Sequence, residues 1–161
     1  MTLIVVADPL PSFLTAGTWK QYVPADRSLV PVPLPDVTTG RTGMRWAALS
    51  GLEFKVPRGY FMGPVNPPGD RTGSWAAPPR FTSTLLWRVR EFGQRPVLTA
   101  ADRAQITADL VFWRAAVVVL VPDSRNGDVL LATLTDALGP PRLVGGVELW
   151  DVRYLAVPPT E

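Results

Sequence analysis

The chain contains no cysteine and no histidine, and these two absences exclude several classes of function. Without cysteine there are no disulfides, no thiolate nucleophiles and no zinc–thiolate sites. Without histidine there is no Ser-His-Asp relay, and no imidazole that could bind a metal or act as a base near neutral pH. Any acid–base chemistry would therefore depend on carboxylates, tyrosine, lysine or arginine. The absence of cysteine fits a cytosolic and an extracytoplasmic setting equally well.

The chain also lacks a concentration of positive charge. Its net charge is +2, and 14 of its 16 cations are arginines scattered along the sequence, since Lys20 and Lys55 are the only lysines. Nucleic-acid binding normally needs a basic stripe, so we predict no nucleic-acid partner. The most apolar run, 110–121, is too short to cross a bilayer and contains Arg114, so we also predict no membrane span.

What is present indicates one α/β domain over residues 1–156, followed by a tail at 157–161. The 161 residues are 47% hydrophobic, enough for a sizeable core. Leu3–Ala7 and Ala116–Val121 are continuous apolar runs, typical of strands buried on both faces. They alternate with amphipathic segments, which favours a layered sandwich with a mainly parallel, Rossmann-like sheet.

Further elements follow from local patterns. We predict short helical turns at 12–23, an edge strand at 28–33, a helix at 43–50 capped by Thr42, and a half-exposed strand at 52–56. A helical face at 85–92 ends at Gly93, and Thr99 opens a capping box with Asp102. Asp123 or Ser124 would cap a helix that ends at Gly139. A two-residue turn at Gly145-Gly146 indicates a C-terminal antiparallel hairpin.

A long segment rich in proline and glycine, Val56–Arg80, interrupts this pattern. Six prolines and four glycines make up ten of its 25 residues, so we predict a long loop that contains no helix and no central strand. It nevertheless contains Tyr60 and Trp75, large aromatic side chains that could anchor it. Long loops of this kind are often binding loops, and the alternative is a stiff flap over one end of the core.

Aromatic and cationic side chains in or near irregular segments are candidates for a glycan-binding groove. An aromatic ring offers a flat apolar face with a polar edge, which suits the C–H face of a sugar ring. The alternative for any single tryptophan is core packing under the loop. The candidates are Trp19, Trp46, Arg45, Arg58, Tyr60 and Trp75.

Three aspartates follow predicted strands and form a second candidate set: Asp8, Asp36 and Asp123. If their strands were parallel, the carboxylates would meet at one edge of the sheet, where they could bind a cation or sugar hydroxyls. The alternative is that each one caps a helix or starts a turn. No glycine-rich nucleotide fingerprint follows the first strand, so we predict no dinucleotide cofactor, and we assign no catalytic or metal-binding residue.

Several segments together resemble a known group of proteins. They are Phe13–Val23, Val30–Pro35, Met44-Arg45-Trp46, Gly59–Pro64, Pro79–Ser83 and Trp150–Arg153. In that order they resemble the soluble C-terminal region of large polytopic actinobacterial membrane proteins of the GT-C glycosyltransferase type. The resemblance covers nearly the whole chain.

This resemblance implies an extracytoplasmic domain attached to a transmembrane portion of the same polypeptide. The catalytic acidic residue of such enzymes lies in an early loop between transmembrane helices, and no part of this chain corresponds to that loop. The resemblance thus implies a non-catalytic accessory domain that binds acceptor glycan or a partner during cell-envelope assembly. Two alternatives remain: a freestanding small enzyme that uses the carboxylate edge, and a protein-interaction module without a small ligand.

Overall fold

The computed structural model describes residues 10–36, 39–58, 60–64 and 73–159, and within 60–64 and 73–76 the description covers the backbone. The described helices are α1 Ser12–Thr15, a 3-10 helix Thr18–Gln21, α2 Arg41–Leu49, α3 Phe81–Phe92, α4 Ala100–Phe112 and α5 Gly127–Leu138. The described strands are β1 Ser28–Val32, β2 Tyr60–Pro64, β3 Gly73–Ala76, β4 Ala115–Leu120, β5 Arg142–Val144 and β6 Val147–Asp151. The α/β class is confirmed.

Four of these strands form one sheet in the order β1-β4-β6-β5. Strand β1 pairs with β4 in parallel, and the other two neighbouring pairs are antiparallel. The prediction of a mainly parallel sheet is therefore wrong for the described strands. The reason is that β6 lies beside β4, in the middle of the sheet, where its residues Val147, Leu149 and Trp150 are all buried. The predicted strand Leu3–Ala7 lies outside the described residues.

The core has two parts, one on each face of the sheet, because successive strand residues point to opposite sides. Val118 and Leu120 of β4 belong to the cluster formed with helices α3, α4 and α5. Val117 and Val119 belong to the cluster formed with α1 and α2. Every residue of β4 is buried, as the apolar run predicts.

Several predicted helix and turn signals are confirmed. Thr99 Oγ1 accepts a hydrogen bond from the Asp102 amide at 3.1 Å, and an Asp102 oxygen accepts one from the Thr99 amide at 2.9 Å, completing the capping box at α4. Helix α3 ends at Gly93. Gly145 and Gly146, with φ of 55° and 82°, form the tight turn between β5 and β6. Both values lie in the left-handed region that favours glycine.

Other predicted boundaries are wrong. Helix α2 begins at Arg41 after Gly40, so Thr42 lies inside its first turn instead of capping it. The segment 52–56 forms a turn with a single parallel bridge from Lys55 to Ser28, and Leu52 is exposed with a φ of 60°. Helix α5 is preceded by Asn126 rather than by Asp123 or Ser124.

The prediction that 56–80 is a long loop rich in proline and glycine is not confirmed over its described residues. The backbone of 60–64 pairs with that of 73–76 as a two-stranded antiparallel hairpin, with Tyr60 opposite Ala76 and Pro64 opposite Gly73. Proline and glycine are tolerated here because each strand of a two-stranded hairpin has one edge that needs no ladder partner. Among the described residues, none of the helices has the combined length and apolar character needed to cross a membrane.

Candidate functional site

A cavity of about 500 Å³ lies at the base of the β2–β3 hairpin, and we call it the basic pocket. It is lined by residues 26–28, 55–58, 77–80 and 112–114. Its volume falls within the range of small-molecule sites, roughly 300–1,000 Å³. The pocket lies at the amino ends of β1 and β4, which is the opposite end of the parallel pair from the edge that the sequence predicts for ligands.

The parallel pairing of β1 and β4 brings together side chains that are far apart in the sequence. Ser28 pairs with Ala115, so the arginine before each strand reaches the same edge. Arg27 Nε donates to the carbonyl of Arg114 at 3.0 Å, and Ser28 Oγ donates to the carbonyl of Trp113 at 2.6 Å. These bonds hold one wall of the pocket in place.

The pocket has an excess of positive charge. Its lining contains one carboxylate, that of Asp26, and five cations: Arg27, Lys55, Arg58, Arg80 and Arg114. Arg114 pairs with Asp26 at 3.2 Å, and Arg80 pairs with a buried carboxylate behind the wall, that of Asp109, at 2.6 Å. The other three cations form no ion pair with a described carboxylate. The charges of Asp36 and Asp26 act on Arg58 and Arg27 only from a greater distance, so the lining keeps an excess of positive charge.

The surroundings of Arg58 disfavour its charged form. It is half-buried, and its Nη2 donates to the carbonyl of Ala77 at 3.3 Å. Its Nε is buried and has no hydrogen-bond acceptor within the described part of the chain. Burial lowers the pKa of Arg58, while the charge of Asp36 acts in the opposite direction. A buried donor without an acceptor costs roughly 1–3 kcal/mol.

Arg27 is also partly buried, and its orientation is set by the backbone. Its guanidinium donates to the carbonyls of Arg114 and Ala115. Burial lowers the pKa of Arg27, and Asp26 partly opposes this effect. Carbonyl oxygens carry only a partial negative charge, so they compensate the Arg27 guanidinium less than a carboxylate would.

An aromatic ring lies against one of the pocket's cations, Arg80. Phe112, the last residue of α4, has 65% of its surface exposed, and the Arg80 guanidinium lies 4.0 Å from its ring centroid. Pro57, Pro78 and Pro79 add further apolar surface. The pocket therefore combines a cationic side with flat apolar faces.

The structure separates the residues that the sequence suggests for glycan binding. Trp19 and Trp46 are 5% and 1% exposed, so neither ring offers a face to a ligand, and the stacking role predicted for these two is corrected to core packing. Trp19 packs against Phe54 with ring centroids 4.9 Å apart. Arg58 lines the pocket, whereas Arg45 is exposed on α2 and does not. The side chains of Tyr60 and Trp75 lie outside the described part of the structure.

The predicted carboxylate edge is not assembled by the described residues. Asp36 Oδ1 accepts a hydrogen bond from the Thr39 amide at 2.7 Å, as in an ordinary turn. Asp123 is exposed and lines a separate cavity of about 530 Å³ with Asp128 and Glu148. Asp8 lies outside the described residues, within which no three acidic side chains are grouped to hold a metal ion.

Sequence reasoning missed four cations of the pocket and the ring of Phe112. One signal was present, since an arginine directly precedes each strand of the parallel pair, at Arg27 and Arg114. A second was the arginine near each end of the segment 56–80, at Arg58 and Arg80. These signals become informative only once β1 and β4 are known to be parallel neighbours.

The fold and the pocket together define a small α/β domain with a basic cavity at the base of a hairpin. No protein-family model, curated protein or solved structure matches the chain.

Proposed function

We propose that this chain is a non-catalytic binding domain that takes an acceptor glycan in the basic pocket. In line with the resemblance of its sequence segments, we place it on the extracytoplasmic face of the plasma membrane, joined to the transmembrane portion of a glycosyltransferase. The observation that carries the binding proposal is the pocket itself, in which the exposed Phe112 ring lies against the Arg80 guanidinium and three other arginines line the same cavity.

The chemistry of a sugar matches this lining. One face of a sugar ring presents C–H groups, which pack on aromatic and proline rings. Its hydroxyl oxygens accept hydrogen bonds, and a guanidinium offers five donors in a fixed planar arrangement. Arg58 lines the pocket, and its guanidinium is one group that can donate to a hydroxyl or an acidic group of the ligand.

A titration of the isotopically labelled chain with envelope-type oligosaccharides, followed by NMR, tests the binding proposal. Replacing Phe112 by alanine removes an exposed ring at little cost in folding, and we expect at least a fivefold loss of affinity. Phe92 is a matched control, because it is 66% exposed and lies outside the pocket. Equal effects of Phe112→Ala and Phe92→Ala, or no binding of any oligosaccharide, would contradict the proposal.

The membrane context needs a separate test. An antibody raised against this domain should detect, in cells that produce the protein, a membrane-bound polypeptide much larger than 17.5 kDa. A soluble band of 17.5 kDa would contradict the glycosyltransferase context and leave the pocket proposal standing.

We also propose that the sheet extends into a layered, Rossmann-like arrangement, with Leu3–Ala7 as a further parallel strand. Its apolar, β-branched sequence supports this. Backbone chemical shifts of Leu3–Ala7 outside the strand range would contradict it.

A further inference from the structure

We propose that the ligand of the basic pocket is an acidic sugar, one whose ring carries a carboxylate or a phosphate. This inference rests on the proposed glycan binding and specifies the class of glycan. It is carried by three cations of the lining, Arg27, Lys55 and Arg58, which form no ion pair with a described carboxylate.

The positions of the carboxylates near the pocket explain why its lining has an excess of positive charge. The carboxylate of Asp26 already forms an ion pair with Arg114, whose Nε also donates to the Asp26 carbonyl at 2.9 Å. Asp109 is fully buried behind Arg80, where it also accepts two hydrogen bonds from Thr82. Asp26 and Asp36 act on Arg27 and Arg58 through their charges without forming ion pairs with them, so these two cations are compensated only in part. A neutral sugar would leave those charges uncompensated, whereas an acidic one would pair with them.

The predominance of arginine among the cations indicates which acidic groups would fit the pocket. Four of the five cations are arginines, whose planar guanidinium matches the two oxygens of a carboxylate or a phosphate. Arg58 lines the pocket and donates through Nη2 to the carbonyl of Ala77, and Arg27 is held in orientation by two backbone carbonyls. Lys55 is exposed and adds a mobile charge at the rim.

The apolar part of the lining argues against a bare inorganic anion as the ligand. Apolar surface predominates in the pocket, through Val56, Pro57, Pro78 and Phe112. Inorganic phosphate would leave these apolar side chains exposed to water, whereas a sugar ring would cover them with its C–H groups. The acidic group and the ring therefore contribute separately to affinity.

The test is a titration of the ¹⁵N-labelled full chain that follows the arginine Nε–H signals by NMR. The probes are methyl β-glucuronide, glucose 1-phosphate, methyl β-glucoside and inorganic phosphate, each at the same ionic strength. We expect at least one acidic sugar to bind tenfold or more tightly than methyl β-glucoside, and more tightly than inorganic phosphate. The Arg58 Nε–H signal should move with binding.

Each other outcome has a distinct meaning. Equal affinity for methyl β-glucoside and both acidic sugars would overturn the acidic-sugar inference and leave the glycan proposal intact. Inorganic phosphate binding as tightly as glucose 1-phosphate would overturn the sugar part of the inference. Failure of both acidic sugars to bind would overturn the acidic-sugar inference, whereas the glycan proposal is decided by the oligosaccharide titration.

Single-residue variants test whether the acidic sugar binds in the basic pocket. Arg58→Gln should weaken binding of the acidic sugar by about tenfold and change the binding of methyl β-glucoside little. A charge-assisted hydrogen bond contributes about 1.4 kcal/mol or more, and 1.4 kcal/mol corresponds to a factor of about ten in affinity. Lys55→Gln is a second variant at an exposed side chain that leaves the fold intact, and it should reduce affinity two- to threefold. Arg88→Gln is the control, since Arg88 is exposed on α3 outside the pocket. Unchanged affinity in both pocket variants would overturn the inference.

Discussion

Arg80 and Asp109 form an ion pair that joins the wall of the basic pocket to the core. The Nε of Arg80 lies 2.6 Å from Oδ1 of Asp109, whose side chain is fully buried. Oδ2 of the same carboxylate accepts hydrogen bonds from the amide and hydroxyl of Thr82, at 2.8 and 2.7 Å. One carboxylate on α4 thus holds the first turn of α3 and positions the guanidinium that lies over Phe112.

Replacing Asp109 by asparagine should destabilise the domain strongly. Asparagine keeps the volume but removes the charge that compensates Arg80, so we expect a loss of about 3 kcal/mol in the free energy of unfolding. Chemical denaturation measures it. The control is Asp136→Asn, which breaks the surface ion pair with Arg95 and should cost under about 1 kcal/mol. Similar losses in the two variants would show that burial does not strengthen the Asp109 interaction.

Replacing Gly43 by alanine should also be costly, because α2 approaches β1 closely at this position. An added Cβ would lie 2.4 Å from Cγ of Pro31 and 2.9 Å from its Cβ. We expect a loss of about 1–3 kcal/mol from overpacking.

Gly127 provides the comparison for Gly43. At Gly127 an added Cβ would meet the Ser124 Cβ at 3.9 Å, an ordinary contact, in the first turn of α5. Gly127→Ala should therefore raise stability by up to about 1 kcal/mol, since alanine is the better helix former. Thermal unfolding of the two variants distinguishes overpacking at Gly43 from open space at Gly127. A destabilised Gly127→Ala variant would contradict the ordinary contact distance at Gly127.

Tryptophan variants separate core packing from ligand contact. Trp46→Ala should lower stability by about 3–5 kcal/mol, because the side chain is only 1% exposed. Trp87→Ala removes a ring that is 40% exposed, and it should cost clearly less. The milder Trp46→Phe should leave glycan affinity unchanged. A selective loss of glycan binding in Trp46→Phe, with normal unfolding, would restore the binding role predicted from the sequence.

Acid should weaken the domain partly through Asp151. Hydrogen bonds from Arg153 lower the pKa of Asp151 below its ordinary value of 3.8. A carboxyl with a lowered folded-state pKa contributes stability above its unfolded pKa, and that contribution is lost as pH falls below about 3.8 and through the folded value. Denaturation as a function of pH should show a shallower loss in Asp151→Asn than in the natural chain. Parallel curves would show that this pair does not contribute.

Local elements were predictable where a short-range pattern determines them. The Thr99–Asp102 capping box, the Gly93 helix end and the Gly145-Gly146 turn each depend on contacts within a few residues. The buried strand β4 was predictable because its residues are apolar on both faces. The error at 52–56 arose because tertiary contacts outweighed the local alternation of apolar and polar residues.

The candidate site was largely hidden from sequence reasoning. Of the six residues proposed for glycan contact, Arg58 lines the pocket, while Trp19 and Trp46 are in the core. Aromatic composition cannot distinguish a ring in the core from one at a surface, because both satisfy the same apolar pattern. Strand direction was equally hidden, so the meeting of Arg27 and Arg114 could not be inferred.

The sequence by itself determined the α/β class, the positions of most helices and the chemistries excluded by the lack of cysteine and histidine, because these follow from residue type and local periodicity. The tertiary structure alone decided which strands are neighbours, which tryptophans are buried and where positive charge collects. Those properties depend on contacts between distant residues, as in the pairing of Ser28 with Ala115, which brings one arginine from each strand to the same pocket.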